Sequence, residues 1–234
     1  MVKFVITADT HGMIDINKAV KFFEGRESEY SKDDYLIICG DVGVCGFSYF
    51  EEQEVTKILR SLPVTTLFVD GNHENFGRLG LYKTEEWNGG KVHFIEKDIL
   101  HLMRGQVYNI SGSKFFTFGG AYSIDRIHRI MGVTCFEEEI PSINEYSEGI
   151  KNLQANDYKV DYILTHTAPR DVAAAMGFGE WAEQEIELRQ YLQQIADSTD
   201  FTAWYFGHFH KDKEIDDKFF CVYNDLIEIG GNKQ

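Results

Sequence analysis

Tyr35-Leu36-Ile37-Ile38-Cys39-Gly40-Asp41-Val42-Gly43 decides how the rest of the chain is read. An apolar run closed by Gly-Asp reads as a short strand buried on both faces. Asp41 stands just off its C-terminal end. In open α/β sheets, ligands gather beyond the carboxyl ends of strands. The flanking glycines leave room for other groups to come close. Four other apolar runs end the same way, in His, Asp or Asn, and are expected to converge on Asp41.

Outward from that run, the chain alternates between strand and helix patterns. Lys3 to Thr7 reads as a first strand, leaving through Ala8-Asp9-Thr10-His11-Gly12. Ile14 to Arg26 has helical spacing, with Ile16, Val20 and Phe23 on one face. Phe50 to Leu62 reads as a helix stopped by Pro63. Val64 to Val69 is a third strand, ending in Asp70-Gly71-Asn72-His73-Glu74. From Lys91 to Gly120, short apolar runs broken at Lys97-Asp98, Arg104-Gly105 and Ser111-Gly112-Ser113 read as antiparallel hairpins. Here His93 and His101 are expected to be partly exposed strand residues. Residues 121–142 have little periodicity, which in a loop of this length suggests function or mobility.

Ile143 to Asn156 and Glu180 to Ala196 read as helices, the second with Trp181, Ile186, Leu188, Leu192 and Ile195 as its apolar contacts. Between them, Val160 to Leu164 is a strand running into Thr165-His166. Ala203 to Phe206 is a strand ending in Gly207-His208-Phe209-His210. Phe219 to Tyr223 and Leu226 to Ile229 are expected to form a final hairpin.

The totals fit one large α/β domain spanning residues 1–234. The 234 residues are 43% hydrophobic with only 3 Pro, enough for a sizeable core. The formal charge of −15 argues against broad attraction to a phosphate backbone, and so against double-stranded nucleic acid. Cys39, Cys45, Cys135 and Cys221 form no C-x-x-C pair and read as reduced, structural thiols. The N-terminus has no signal-peptide layout, and no apolar stretch approaches a membrane span. A cytoplasmic protein is the expectation.

The strand ends carry Asp9 and His11, Asp41, Asn72 and His73, His166, and His208 and His210. Singly, an Asp or Asn after a strand is often only a turn former. Together they make a set of oxygen and imidazole donors with no thiolate, suited to Mn, Fe, Zn or Ni. The set is too large for one ion and fits two, with a carboxylate in the middle. In a strand-like segment, residues two apart share a face. On that footing Asp9 with His11, and His208 with His210, each present two donors to one site or to adjacent ions.

Asp9-x-His11, Gly40-Asp41, Gly71-Asn72-His73-Glu74, His166 and Gly207-His208-x-His210 occur in the order found in the calcineurin-like metallophosphoesterases, and the chain resembles that family from residue 9 to residue 210. The resemblance implies an α/β (α+β) four-layer sandwich: two facing mixed β-sheets flanked by helices, with metals at one edge. It implies a phosphoester hydrolase with two divalent transition-metal ions, manganese first and Fe, Zn or Ni as alternatives. Asp9, His11 and His210 would bind one ion, Asn72, His166 and His208 the other, and Asp41 both. A hydroxide on the metals would attack phosphorus. His73, as an imidazolium with Asn72 beside it, would face the substrate and the leaving group. Gly40 to Gly46 lacks the second carboxylate found in some protein-phosphatase members, which argues against that branch.

The substrate expected is a small phosphomonoester, phosphodiester or nucleotide; the oligomeric state stays open. The rival readings are a nuclease acting on short or single-stranded nucleic acid, and an inactive scaffold on the same fold. Retention of His73 and Asp41 argues against the scaffold. Residues 121–142 read either as a solvated charged loop or as a substrate lid, with Arg126 and Arg129 as phosphate contacts and Tyr122 as a weaker candidate. Arg170 could serve the same role or pair with an acid. His128 is grouped with Arg126 and Arg129, and Glu137 to Glu139 is expected to be a solvated face. Trp181, Trp204 and most Phe read as core.

Overall fold

The computed structural model describes residues 1–46, 48–179 and 183–230. In chain order it runs β1 (Lys3–Thr7), α1 (Asn17–Phe23), β2 (Tyr35–Cys39), α2 (Tyr49–Ser61), β3 (Thr65–Val69), α3 (Phe76–Leu79), β4 (Thr84–Trp87), β5 (Gly90–Glu96) and β6 (Ile99–Leu102). It continues with β7 (Gln106–Ile110), β8 (Ser113–Phe118), α4 (Ile143–Ala155), β9 (Tyr162–Thr165), α5 (Arg170–Ala175), α6 (Ile186–Ser198), β10 (Ala203–Phe206), β11 (Lys213–Ile215), β12 (Phe219–Cys221) and β13 (Ile227–Gly230).

Two mixed sheets result. The first has the order β13-β1-β2-β3-β6-β5-β4 and the second β11-β12-β10-β9-β8-β7. β1, β2, β3 and β6 are parallel, as are β8, β9, β10 and β12. Antiparallel strands close the sheet margins.

Strand alternation explains the layering. Phe4, Ile6, Ile37 and Leu67 face inward and meet Phe115, Leu164 and Tyr205 from the second sheet. Val5, Leu36, Ile38 and Phe68 face outward, under Ile16, Ala19 and Phe23 beside α1 and Val55 and Leu59 of α2. On the far side, Phe116, Ile163, Trp204 and Phe206 are covered by Leu153, Val172, Leu188, Leu192 and Ile195 of the later helices. The central strands are thus buried on both faces, as their unbroken apolar runs require. Each such aliphatic or aromatic side chain contributes roughly 1.5–3 kcal/mol by leaving water.

Most element boundaries agree with the sequence, and the departures have local causes. α1 is shorter than Ile14 to Arg26 because residues 11–16 are spent in turns, including Asp15 N–H to the Thr10 carbonyl at 2.9 Å. α2 ends on time: Leu62, before Pro63, is forced extended. The hairpins of Lys91 to Gly120 divide between sheets, β5–β6 in the first and β7–β8 in the second. Ser111 and Gly112, both at positive φ, make the two-residue turn of β7–β8. Glu180 to Ala196 begins as a 3-10 turn at Glu183–Glu185 before α6, while 180–182, with Trp181, lie outside the described residues.

The expected tail hairpin does not form. β12 pairs with β11 and β10 in the second sheet, whereas β13 crosses to pair with β1 in the first. Asp212 turns the chain between them by accepting from the backbone N–H groups of Tyr223, Asn224 and Asp225. His93 and His101 are not partly exposed either. They are 7% and 4% exposed, with Nδ1 atoms 3.1 Å apart, and His101 Nε2 faces Asp70 Oδ1 at 3.1 Å. That chain of polar contacts satisfies both rings in the interior, which alternation alone could not foretell. All four cysteines are free and buried, and Trp204 is core, donating to Thr165 Oγ1. Among the described residues no helix is long and apolar enough to cross a membrane.

Candidate metal centre

Five parallel strands, β1, β2 and β3 from one sheet and β9 and β10 from the other, deliver their carboxyl ends to the same edge. There the seven expected donors and His73 gather. Asp41 Oδ2 lies 3.4 Å from His166 Nε2 and 3.9 Å from both His11 Nδ1 and His73 Nε2. Asp9 Oδ1 lies 3.7 Å from His210 Nε2 and 3.9 Å from His11 Nε2. His11 and His210 approach each other to 2.9 Å, and Asn72 Oδ1 is 3.0 Å from His166 Nε2. The ring of His208 packs 5.1 Å from that of His166.

The loops carrying these side chains are not strand-like. Asp9, His11, Asp41, His208 and His210 all have left-handed backbone, with φ of 52°, 43°, 53°, 69° and 49°. The side chains two apart therefore meet through a kink, not through strand alternation. For an L-residue this region costs roughly 1–2 kcal/mol. Hydrogen bonds hold it: Asp9 N–H to the Gly40 carbonyl at 3.1 Å, His11 N–H to the Asp41 carbonyl at 2.7 Å, and His208 N–H to Asp9 Oδ2 at 2.9 Å.

Two motif glycines let the carboxylates sit where they do. A Cβ on Gly71 would come within 2.2 Å of Asp41 Oδ1, and one on Gly207 within 2.4 Å of Asp9 Oδ2. Glu74 braces these loops. It is fully buried and accepts from Val42 N–H at 2.7 Å and Gly71 N–H at 2.5 Å, stapling the second loop to the third. Glu74→Gln replaces one acceptor oxygen by a donor facing an N–H. A loss of about 1–3 kcal/mol in unfolding free energy is expected, read from a denaturant titration; a change near zero would contradict the staple.

Several supporting residues escaped the sequence reading. Lys18 Nζ donates to the carbonyls of Ala8 and Asp9 at 2.6 and 3.2 Å and to that of Tyr223. The Tyr223 ring lies flat on His210, centroids 4.6 Å apart. Ser123 Oγ accepts from Asn72 Nδ2 at 3.0 Å. Glu185, buried and held by Thr167 and Arg189, faces His208 Nε2 at 3.8 Å. These are contacts between residues remote in sequence, and no local pattern marks them.

Of the three arginines singled out, Arg129 reaches the centre. Its Nη2 lies 2.9 and 3.0 Å from the ring nitrogens of His73, and Asp125 holds its Nε at 2.9 Å. Arg126 turns instead to the Phe136 carbonyl and to Glu139, at 3.6 Å. Arg170 pairs with Asp171 at 2.8 Å on the exposed surface. Glu139 departs from the solvated face expected of it. It is fully buried, accepting from Phe136 N–H and Ser123 N–H and so folding residues 121–142 back on themselves.

Charge in the centre is unbalanced. Burial pushes the Asp9 carboxyl up to about 7, with Asp41 adding to the rise and His166 opposing it. Burial also raises Asp41, but His166, His73 and His11 together hold it well below the usual carboxylate range. Burial lowers His166, but Asp41, Asp9 and the Cys39 carbonyl together raise it to about 10, whereas burial takes His11 and His208 down to about 4. His166 Nδ1 is engaged by the Cys39 carbonyl at 2.8 Å, so its Nε2 is the atom turned to Asn72 and Asp41. The decisive atom is Asp9 Oδ1, buried with no hydrogen-bond partner and ringed by imidazole nitrogens. An orphaned carboxylate oxygen is costly unless a cation meets it. Asp9, His11 and His210; Asp9, Asp41 and His166; and His11, Asp41 and His73 each bring donor atoms close enough for one ion. The residues present therefore fit a metal.

The sequence profile described as calcineurin-like phosphoesterase matches residues 2–212. A search of curated proteins gave no match. Among solved structures, phosphopantetheinyl hydrolase from Mycobacterium tuberculosis is 16% identical, with a TM-score of 0.45 over 94% of this chain and 89% of that one. A Staphylococcus aureus protein described as a 5'-nucleotidase, in complex with alpha-ketoglutarate, is 12% identical, with a TM-score of 0.53 over 99% of this chain. The match covers 51% of that protein, so the chain spans about half its length. This second likeness bears on the fold, two mixed sheets flanked by helices.

Proposed function

The chain belongs to the calcineurin-like phosphoesterases, a metal-dependent family of hydrolases, and from that premise we propose that it cleaves a small phosphate ester at a dinuclear centre. Asp9, His11 and His210 would hold one ion, Asn72, His166 and His208 the second, and Asp41 would touch both. The observation that carries this is the unpaired, buried Asp9 Oδ1 among imidazole nitrogens, beside an equally buried Asp41. Carboxylate, amide and imidazole donors without thiolate suit Mn, Fe, Zn or Ni alike, and the family resemblance puts manganese first. When bound, two such ions supply charge that clamps phosphoryl oxygens and lowers the pKa of water to near neutrality.

The protein's own groups do the rest. His73, 35% exposed at the mouth, presents its ring to the leaving-group oxygen. Proton donation there is worth typically about 10²–10⁴-fold. Its backbone N–H, held by Asp41 Oδ1 at 2.8 Å, fixes the ring relative to the centre. Arg129 adds a planar guanidinium beside it, suited to two phosphoryl oxygens at once. Residues 121–142 then act as a lid whose anchors are Arg129 on His73 and Ser123 on Asn72.

A panel of phosphomonoesters, phosphodiesters and nucleotides, assayed with Mn²⁺, Ni²⁺ and Zn²⁺ separately, tests the reading. Turnover is expected to vanish on chelation and return with one of these ions, at near two ions per chain. Turnover indifferent to a chelator would overturn it.

A further inference from the structure

We propose that Tyr223 is a positioning residue for His210, and that its ring sets how tightly the ion of Asp9, His11 and His210 is held; this rests on the dinuclear reading above. His210 is the most open of the imidazole donors. Its side chain is 47% exposed, against 13% for His11, 16% for His208 and 0% for His166. Its Nε2 faces inward, 2.9 Å from His11 Nε2 and 3.7 Å from Asp9 Oδ1. Its Nδ1 makes no hydrogen bond among the described residues, whereas His166 Nδ1 is held by the Cys39 carbonyl. Neither packing nor a hydrogen bond on the far nitrogen therefore fixes this ring.

A stacked ring does so instead. The lone pair of an imidazole lies in the ring plane, and the torsion that turns the ring is intrinsically broad. A donor of this kind must be held to within about 10–20° of its working direction. The Tyr223 ring lies against that of His210 with centroids 4.6 Å apart and planes only 3° from parallel. His210 cannot turn without parting the two faces.

Tyr223 is itself held at several points, each tied to the ligand loops. Its backbone N–H donates to Asp212 Oδ1 at 2.7 Å, two residues beyond His210. Its Oη donates to Asp15 Oδ2 at 3.1 Å, and Asp15 N–H donates to the carbonyl of Thr10, between Asp9 and His11. Its carbonyl accepts from Lys18 Nζ, which also donates to the carbonyls of Ala8 and Asp9 and lies 4.8 Å from the Tyr223 ring. The two loops that supply Asp9, His11 and His210 are thus joined through one side chain and its own backbone. Among the described residues, no hydrogen bond or ring contact links Tyr223 to Asn72, His166 or His208, so the effect belongs to one ion of the two.

The test is a calorimetric titration of metal-free protein with Mn²⁺, in which the parent is expected to take up two ions. Tyr223→Leu removes the flat face but keeps an apolar side chain. It should weaken one ion by about tenfold or more, the scale of an aromatic stack and of a group supporting a metal ligand. The other ion should keep its parent affinity. Tyr223→Phe keeps the face and loses only the Asp15 bond, so it should bind both ions nearly as the parent does. In a His210→Ala background, Tyr223→Leu should cost nothing further, because the two residues act as one unit; a purely structural role would add its loss there too. Parent affinity for both ions in Tyr223→Leu, equal weakening of both, a Phe variant as weak as Leu, additive losses with His210→Ala, or a Tyr223→Leu chain that does not fold would each overturn the inference and leave the dinuclear reading standing. A parent that takes up fewer than two ions would remove that reading itself.

Discussion

Asp41→Ala is expected to strip metal from the protein and abolish turnover. Asp41 is 2% exposed, lies 3.4 Å from His166, and is the group from which His11 and His73 are equally distant. Its loss leaves His166, His11 and His73 without the anion that offsets them. It also frees the His73 N–H, unpinning the loop that carries Asn72. Losing a partner outside the ligand sphere typically costs about 10–100-fold in metal affinity or activity, and a residue shared between two ions should cost more. Metal analysis of dialysed protein, run beside an ester assay, reads both effects. Parent metal content in Asp41→Ala would remove the shared-ligand role.

His73→Ala is expected to separate those two readouts, keeping the metal while turnover falls by about 10²–10⁴-fold. The geometry also permits the opposite. His73 joins His11 and Asp41 in a trio whose donor atoms could surround one ion. Two observations favour the substrate-facing role. The ring is far more open to solvent than Asp41 or His166, and the Arg129 guanidinium beside it adds a second group suited to phosphoryl oxygens. Metal lost with His73 would make it a ligand, and parent turnover would remove it from the reaction.

How much of this was written locally in the chain can be seen residue by residue. Strand cores such as Phe4 to Thr7 and Leu36 to Cys39 were legible because burial on both faces demands unbroken apolar runs. The donors were legible because each follows such a run directly. Arg129 was legible only as one of three arginines, since sequence cannot say which guanidinium folds inward and which finds Glu139 or Asp171. The tail was misread because β12 and β13 each satisfy a strand pattern, while the choice of partner sheet is made by Asp212 and by the free edge of β1. His93, His101, Glu74, Glu139 and Glu185 are polar groups made welcome in the interior by partners up to dozens of positions away. Hydropathy assigns such residues to the surface by default.

The left-handed turns at Asp9, His11, Asp41, His208 and His210 narrow what evolution can try at this edge of the fold. Among residues with a Cβ, aspartate, asparagine and histidine are the ones most often found in that conformation. They are also donors a hard or borderline cation accepts. Two filters, one of chain shape and one of coordination, therefore pass nearly the same short alphabet. A valine or isoleucine drifting into one of these five places would be rejected by the peptide geometry before its missing lone pair was ever felt.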